Sequence, residues 1–201
     1  MNDLSFVFEF VLVQISVAFS PGLIIALVIN ESVQKSRTNG LQVAIGAASG
    51  AVFITLISAG VLTFVINIIP QILNLIYIFG TFYILYKGLV TIKSEVNSES
   101  IQIKTNSFKA GLKLNLINPK MWVFYLTVLP IFVTDSNNFL LQLVYLGFIT
   151  IFINLVADIS YAFLSSYFFK DSSNKVKKLI NNISGTCLLL IGIYLIFSRF
   201  V

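Results

Sequence analysis

One acid, Asp158, falls inside an otherwise uncharged apolar run from Phe139 to Phe169. Counted back from Lys170 at 1.5 Å per residue, it lies roughly 18 Å from the nearer end of that run. That is close to the midplane of a hydrocarbon core about 30 Å thick. A charge at such depth costs at least ~2.5–3.5 kcal/mol, so it faces a partner, a wet cavity or a passing solute. Thr150, Asn154, Asp158, Tyr161 and Ser165 recur at steps of four, four, three and four residues. Those steps align five polar side chains on one helical face. Such a stripe serves either as a pathway for a polar solute or as a hydrogen-bonded girder between helices.

Two proline breaks are the second feature with chemical content. Ser20-Pro21-Gly22 sits inside the first apolar run, and Asn118-Pro119-Lys120 opens the fourth. Proline removes a backbone hydrogen bond and glycine loosens the turn. In lipid the freed groups must find protein or trapped water. A helix N-terminus created at a break carries positive partial charge and suits a carboxylate. A plain kink is the alternative. Weaker patterns are Glu9, Ser16 and Ser20 on the first helix, and Asn74, Tyr77 and Thr81 on the third. Gly46-Ala47-Ala48-Ser49-Gly50 is read as a packing face, and Lys175, Lys177 and Lys178 as a lipid-surface cluster.

These residues need a membrane scaffold to position them. Of 201 residues, 57% are hydrophobic and 10% charged, against roughly 25% charged in soluble domains. Six apolar segments emerge: Leu4–Ile29, Gly40–Ile66, Pro70–Ile92, Asn118–Thr134, Phe139–Phe169 and Leu179–Ser198. The expected fold class is therefore an all-α integral membrane protein of six transmembrane helices. The fourth segment is short, and Phe108–Ile117 before it either lies at the interface or re-enters as its front half. The first run lacks the positive flank of a secretory signal and is read as a retained helix. Turn signals stand at Asn39-Gly40, Asn67 to Pro70 and Asp135 to Asn138.

The basic residues cluster between helices one and two (Lys35, Arg37), three and four with flanks (Lys87, Lys93, Lys104, Lys109, Lys113, Lys120), and five and six (Lys170, Lys175, Lys177, Lys178). Twelve of the 13 therefore fall on one side, which the positive-inside rule makes cytoplasmic, with both termini outside. Three spans per half put residues 1–92 and 108–201 in opposite orientations, joined by a cytoplasmic linker at 93–107. That is the layout of inverted-repeat transporters, whose sites form where discontinuous helices meet. The whole chain, 1–201, reads as one transporter domain.

Exclusions narrow the chemistry. There is no histidine and one cysteine, Cys187, so histidine triads, zinc ribbons and disulfide relays are absent. A lone central acid is half an aspartyl dyad. The charges form no basic stripe for nucleic acid. No enzyme, cofactor or metal is expected, and the anticipated partners are a small solute and lipid, with self-association left open. A cation or metal exporter would want more carboxylates. A scaffold subunit would leave the helix-five stripe unexplained.

The motifs also resemble a known family. Ser20-Pro21-Gly22 with Asn30–Gly50, Gly80–Gly88, Phe108–Phe124, Asp158 in VADISY, and Ile183–Ile193 resemble, in order, the blocks of the LysE/RhtB amino-acid exporters. The resemblance implies a bacterial inner-membrane exporter of amino acids or close derivatives that exchanges against the proton gradient. The family's Pro-Gly-Pro site maps to Pro21, Gly22 and Leu23, so its second proline is missing here. Asn118, Pro119 and Lys120 carry over. On this reading the substrate carboxylate meets N–H groups near Pro21-Gly22 or Asn118-Pro119. The ammonium, or a coupling proton, meets Asp158, and a single acid favours a neutral over a dibasic amino acid. The substrate pathway is thus assigned to Ser20, Pro21, Gly22, Asn118, Pro119, Lys120, Asn154, Asp158 and Tyr161.

Overall fold

The computed structural model describes residues 3–93, 106–135, 137–168 and 173–200. The chain breaks where its prolines dictate. α1 (Asp3–Phe19) ends before Ser20-Pro21, and α2 (Leu23–Gln34) restarts after Gly22, the two bent by 49°. Ser36 then starts α3 (Arg37–Ile68) by accepting from the Asn39 N–H, a standard N-cap device. α4 (Ile72–Lys93) comes after the Pro70 turn. α5 (Ser107–Ile117) is capped by Asn106, and α6 (Pro119–Val123) by Asn118. α7 (Phe139–Phe168) and α8 (Ser173–Phe200) complete the chain.

The protein is an all-α membrane protein, and length and composition account for five of the six expected spans. α3, α4, α7 and α8 each suffice to cross a membrane, and α1 with α2 makes a bent fifth. The expected fourth span, Asn118–Thr134, is instead a short composite. α6 passes into a π turn at Phe124–Val128 and a 3₁₀ turn at Leu129–Phe132. Pro130 has no N–H to donate, and the Thr127 hydroxyl bonds the Val123 carbonyl at 2.7 Å; both distort a helical ladder. The 14 residues Pro119–Phe132 reach only about 21 Å. The stretch Phe108–Ile117 forms most of α5, which lies against the first third of α3. The linker at 94–105, Lys104 and Lys170 lie outside the described residues.

Packing rests on backbone contact. A methyl on Gly46 would stand 2.1 Å from the Phe108 carbonyl oxygen, and one on Gly111 2.1 Å from that of Val43. α3 and α5 therefore touch through small residues, the usual device where lipid supplies no hydrophobic drive between helices. Gly88 and Gly185 do the same for α4 and α8. Outward faces carry Phe53, Phe64, Phe82, Phe152 and Leu190, all exposed, as lipid contact requires.

The buried apolar residues form two clusters. One gathers Phe10, Val13, Ile54, Tyr125, Phe132, Leu143 and Leu146. The other gathers Ile25, Leu27, Val28, Val43, Ala44, Ala110, Tyr161 and Ala162. Along α3 and α7, and from α1 into α2, the two occupy opposite ends and leave a middle stretch between them.

The α3–α5 contact makes a stability prediction. Gly111→Ala drives a methyl into fixed backbone, so a loss of about 1–3 kcal/mol is expected, read as a lowered melting temperature of detergent-purified protein. Gly60→Ala is the control, since nothing lies within 4 Å of its added methyl. Equal melting temperatures for the two variants would contradict the packing described.

Candidate functional site

A cavity occupies the stretch between the apolar clusters. α1 and the break supply Gln14, Val17, Ala18, Ser20 and Gly22; α2 supplies Leu23, Ile24 and Ile25. Ala47, Ala48 and Ala51 come from α3 and Asn115 from α5. Asn118 comes from the second break, Lys120 and Met121 from α6, and Phe124 from the π turn. α7 contributes Ile151, Asn154, Leu155 and Asp158. The room open to water is about 60 Å³, several times the ~10–15 Å³ that one water needs.

The breaks border the cavity, and three of their freed backbone groups are satisfied by named side chains. Tyr161 donates its hydroxyl to the Phe19 carbonyl at 2.8 Å, a carbonyl left over where α1 stops. Trp122 donates its indole N–H to the Leu116 carbonyl at 2.7 Å, the counterpart at the end of α5. Asn118 Oδ1 accepts from the Lys120 N–H at 3.0 Å. Ser20 shares a hydrogen bond with Thr91 of α4 at 3.3 Å. The start of α2 is different: Gly22 is its N-cap and supplies no side-chain cap. The first N–H groups of α2 therefore face the cavity's edge without the usual acceptor.

The charges are arranged around that opening. Lys120 lies against Gly22, where an added methyl would sit 3.6 Å from its Nζ. A side chain larger than a methyl would displace the ammonium. Asp158, only 7% exposed, attracts Lys120 across the cavity, while Lys87 of α4 repels it. The pair is not in contact; among the described residues an ion pair is formed by Lys35 and Glu31, at 2.8 Å. Asp158 makes no hydrogen bond among the described residues, so its carboxylate stands free in a buried position. Opposite charges held apart over a cavity are what a zwitterion would bridge.

The sequence-assigned residues divide accordingly. Ser20, Gly22, Asn118, Lys120, Asn154 and Asp158 line the cavity. Pro21 and Pro119 are exposed and act by breaking the chain. Tyr161 is a strut for the break, and Thr150 and Ser165 of the same stripe bond the carbonyls of Leu146 and Ala162 in their own helix. The stripe thus divides between residues that line the cavity, Asn154 and Asp158, and side chains bonded to backbone carbonyls, Thr150, Tyr161 and Ser165. Ser16 bonds the Leu12 carbonyl, and Tyr77 bonds the Leu195 carbonyl away from the cavity.

Two cavity residues escaped the sequence reading. Gln14 is 1% exposed and Asn115 4% exposed. Gln14 Nε2 donates to Asn154 Oδ1 at 2.9 Å, while Gln14 Oε1 and Asn115 Oδ1 have no partner. A buried amide in a membrane helix is costly on its own, and that signal was present for Gln14. Asn115 was masked by its neighbours Lys109 and Lys113, which made the stretch look interfacial. Among the described residues no group of three His, Cys, Asp or Glu could hold a metal ion.

Comparison with known proteins agrees with this architecture. The sequence profile of the LysE type translocators matches residues 15–199. An uncharacterized membrane protein of Synechocystis sp. is 28% identical over 188 residues, 89% of each chain. The leucine efflux proteins of Salmonella typhimurium and Salmonella choleraesuis are 32% identical over 120 residues, 56% of each chain. The chain thus spans only about half the length of those two relatives. No solved structure matches it. With the profile covering nearly the whole chain, the protein belongs to the LysE type translocator family and is a multi-pass membrane transporter of a small solute.

Proposed function

We propose that the chain exports neutral amino acids or close derivatives across a bacterial cytoplasmic membrane in exchange for protons. The observation that carries this reading is the unpaired Lys120 and Asp158 facing one cavity beside the uncapped start of α2. A substrate carboxylate meets the Lys120 ammonium and the N–H groups of Leu23 and Ile24. Its ammonium meets Asp158, and an aliphatic side chain meets Ala47, Ala51, Ile151 and Leu155. Of the two helix starts that the sequence offered to a carboxylate, the α6 start is already occupied by Asn118. When the zwitterion leaves, Lys120 and Asp158 both lose their partners, and a proton arriving from outside neutralises the Asp158 carboxylate. The leucine efflux relatives support an aliphatic substrate.

Orientation and repeat structure belong to the same proposal. Asn39 donates to Ser107 at 2.9 Å and Lys178 to the Ile92 carbonyl at 3.4 Å. These bonds bring the basic connections to one end of the bundle, which supports a cytoplasmic face there and termini outside. α3 packs on α7 and α4 on α8, so equivalent helices of the halves 1–92 and 108–201 meet, as an inverted repeat around the linker 93–107 would have them.

Two variants test the reading. Asp158→Asn keeps the shape and removes the charge; export of radiolabelled leucine by cells is expected to fall at least about ten-fold, at unchanged membrane level, for a lost hydrogen bond to a charged group. Unchanged export would remove Asp158 from the mechanism. Leu23→Pro deletes one N–H while suiting the first position of a helix. Gly22 before it is extended, at φ −151° and ψ −172°, as a residue preceding proline must be. KM for leucine is expected to rise about ten-fold with little change in melting temperature; an unaltered KM would show that the Leu23 N–H does not bind substrate.

A further inference from the structure

Three residues with acceptor oxygens line the cavity from three different elements, Gln14 from α1, Asn115 from α5 and Asp158 from α7. Gln14 Oε1 and Asn115 Oδ1 are buried without a hydrogen-bond partner, and no donor bonds the Asp158 carboxylate among the described residues. All three residues are more than nine-tenths buried. Buried amide oxygens are satisfied in the great majority of cases, and each exception has a reason. The hydroxyls of Ser32, Ser58, Thr63 and Thr81 also lack partners, but hydroxyls rotate to suit, and none of the four lines the cavity.

The two amides are also held in place. Gln14 is fixed by its bond to Asn154, one helical turn from Asp158 on the same face of α7. That bond uses its nitrogen and turns its oxygen away from Asn154. Asn115 is held against α3: a methyl on Gly50 would stand 3.1 Å from its Cβ and 3.4 Å from its Cγ. The Gln14 nitrogen is thus engaged, and the stem of Asn115 is packed against α3. The nearby donor, Lys120, bonds to none of the three.

A group with three N–H donors, one positive charge and no acceptor is the complement of two amide oxygens and a carboxylate. A primary ammonium is that group. We propose that Gln14, Asn115 and Asp158 form a three-acceptor seat for a primary ammonium, so that the transporter selects substrates by the number of N–H bonds on their amine. This rests on reading the cavity as an amino-acid site. It adds Gln14 and Asn115 as specificity-determining residues and excludes N-alkylated and N-acylated amino acids.

The test uses the chain's single tryptophan, Trp122, which adjoins the cavity residues Lys120 and Met121. Purified full-length protein is titrated with leucine, N-methylleucine and N,N-dimethylleucine while Trp122 fluorescence is followed. 2-Methylleucine, which adds a methyl to carbon and keeps all three N–H donors, controls for bulk. Each N-methyl is expected to weaken binding about ten-fold, as loss of a hydrogen bond to or from a charged group does. 2-Methylleucine binds within a few-fold of leucine.

In Asn115→Leu and Gln14→Met, leucine binding weakens about ten-fold and the first N-methyl then costs little, because donor and acceptor are removed together. Asn115→Asp and Gln14→Glu keep an acceptor and retain discrimination against methylation, which covers the case where the apolar variants fail to fold. N,N-Dimethylleucine binding as well as leucine, or the same methylation cost in wild type and all variants, would overturn the three-acceptor seat and leave amino-acid export standing. A wild-type protein that binds none of these amino acids would overturn both.

Discussion

A polypeptide that stops being helical inside a bilayer leaves backbone groups that water cannot reach, and every other feature of this protein answers to that constraint. Two such breaks occur, after Phe19 and after Ile117. At each, a freed carbonyl is met by an aromatic donor from another turn or helix, Tyr161 for Phe19 and Trp122 for Leu116. The start of α6 is met by its own Asn118. The start of α2 has no side-chain cap, and Lys120 stands beside Gly22 there. Backbone satisfaction therefore ends at the place where a carboxylate would complete it.

The rest of the bundle flanks that place with an apolar cluster on either side. Toward one end lies the cluster around Phe10, Ile54 and Tyr125, toward the other that around Leu27, Val43 and Ala162. α3 with α5, and α4 with α8, are held at backbone contact by glycines and have little freedom to slide. A solute crossing such a molecule must displace one apolar cluster and then the other. The cavity between them is where it would rest, and polar acceptors without donors there have a reason to persist.

Much of this was legible in the sequence, because the signals were local. Asp158 was visible as a charge at a depth where charges are expensive, and Pro21 and Pro119 as breaks in apolar runs. What was not legible depended on tertiary placement. Tyr161 shares a helical face with Asp158, yet it is spent on the Phe19 carbonyl, which only the bend at Gly22 brings within reach. Asn115 became a cavity residue only once Gly46, Gly50 and Gly111 had drawn α5 against α3. Helix four could not be read as a composite from hydropathy, since its π and 3₁₀ turns are as apolar as an α-helix would be. Leu23, where the resembled family has proline, keeps an N–H that a proline would have lost.

The central claim is that substrate sits in the cavity between the two breaks, and occupancy can be read directly. Ala48 lines it, and Cys187 is the chain's single cysteine, so Ala48→Cys in a Cys187→Ser background gives one thiol at the site. The rate of its labelling by a small maleimide is measured in proteoliposomes that transport leucine. Leucine is expected to slow labelling, with a half-maximal concentration matching that for its transport. Labelling that proceeds at one rate with and without leucine, in protein that still transports it, would contradict a substrate site in this cavity.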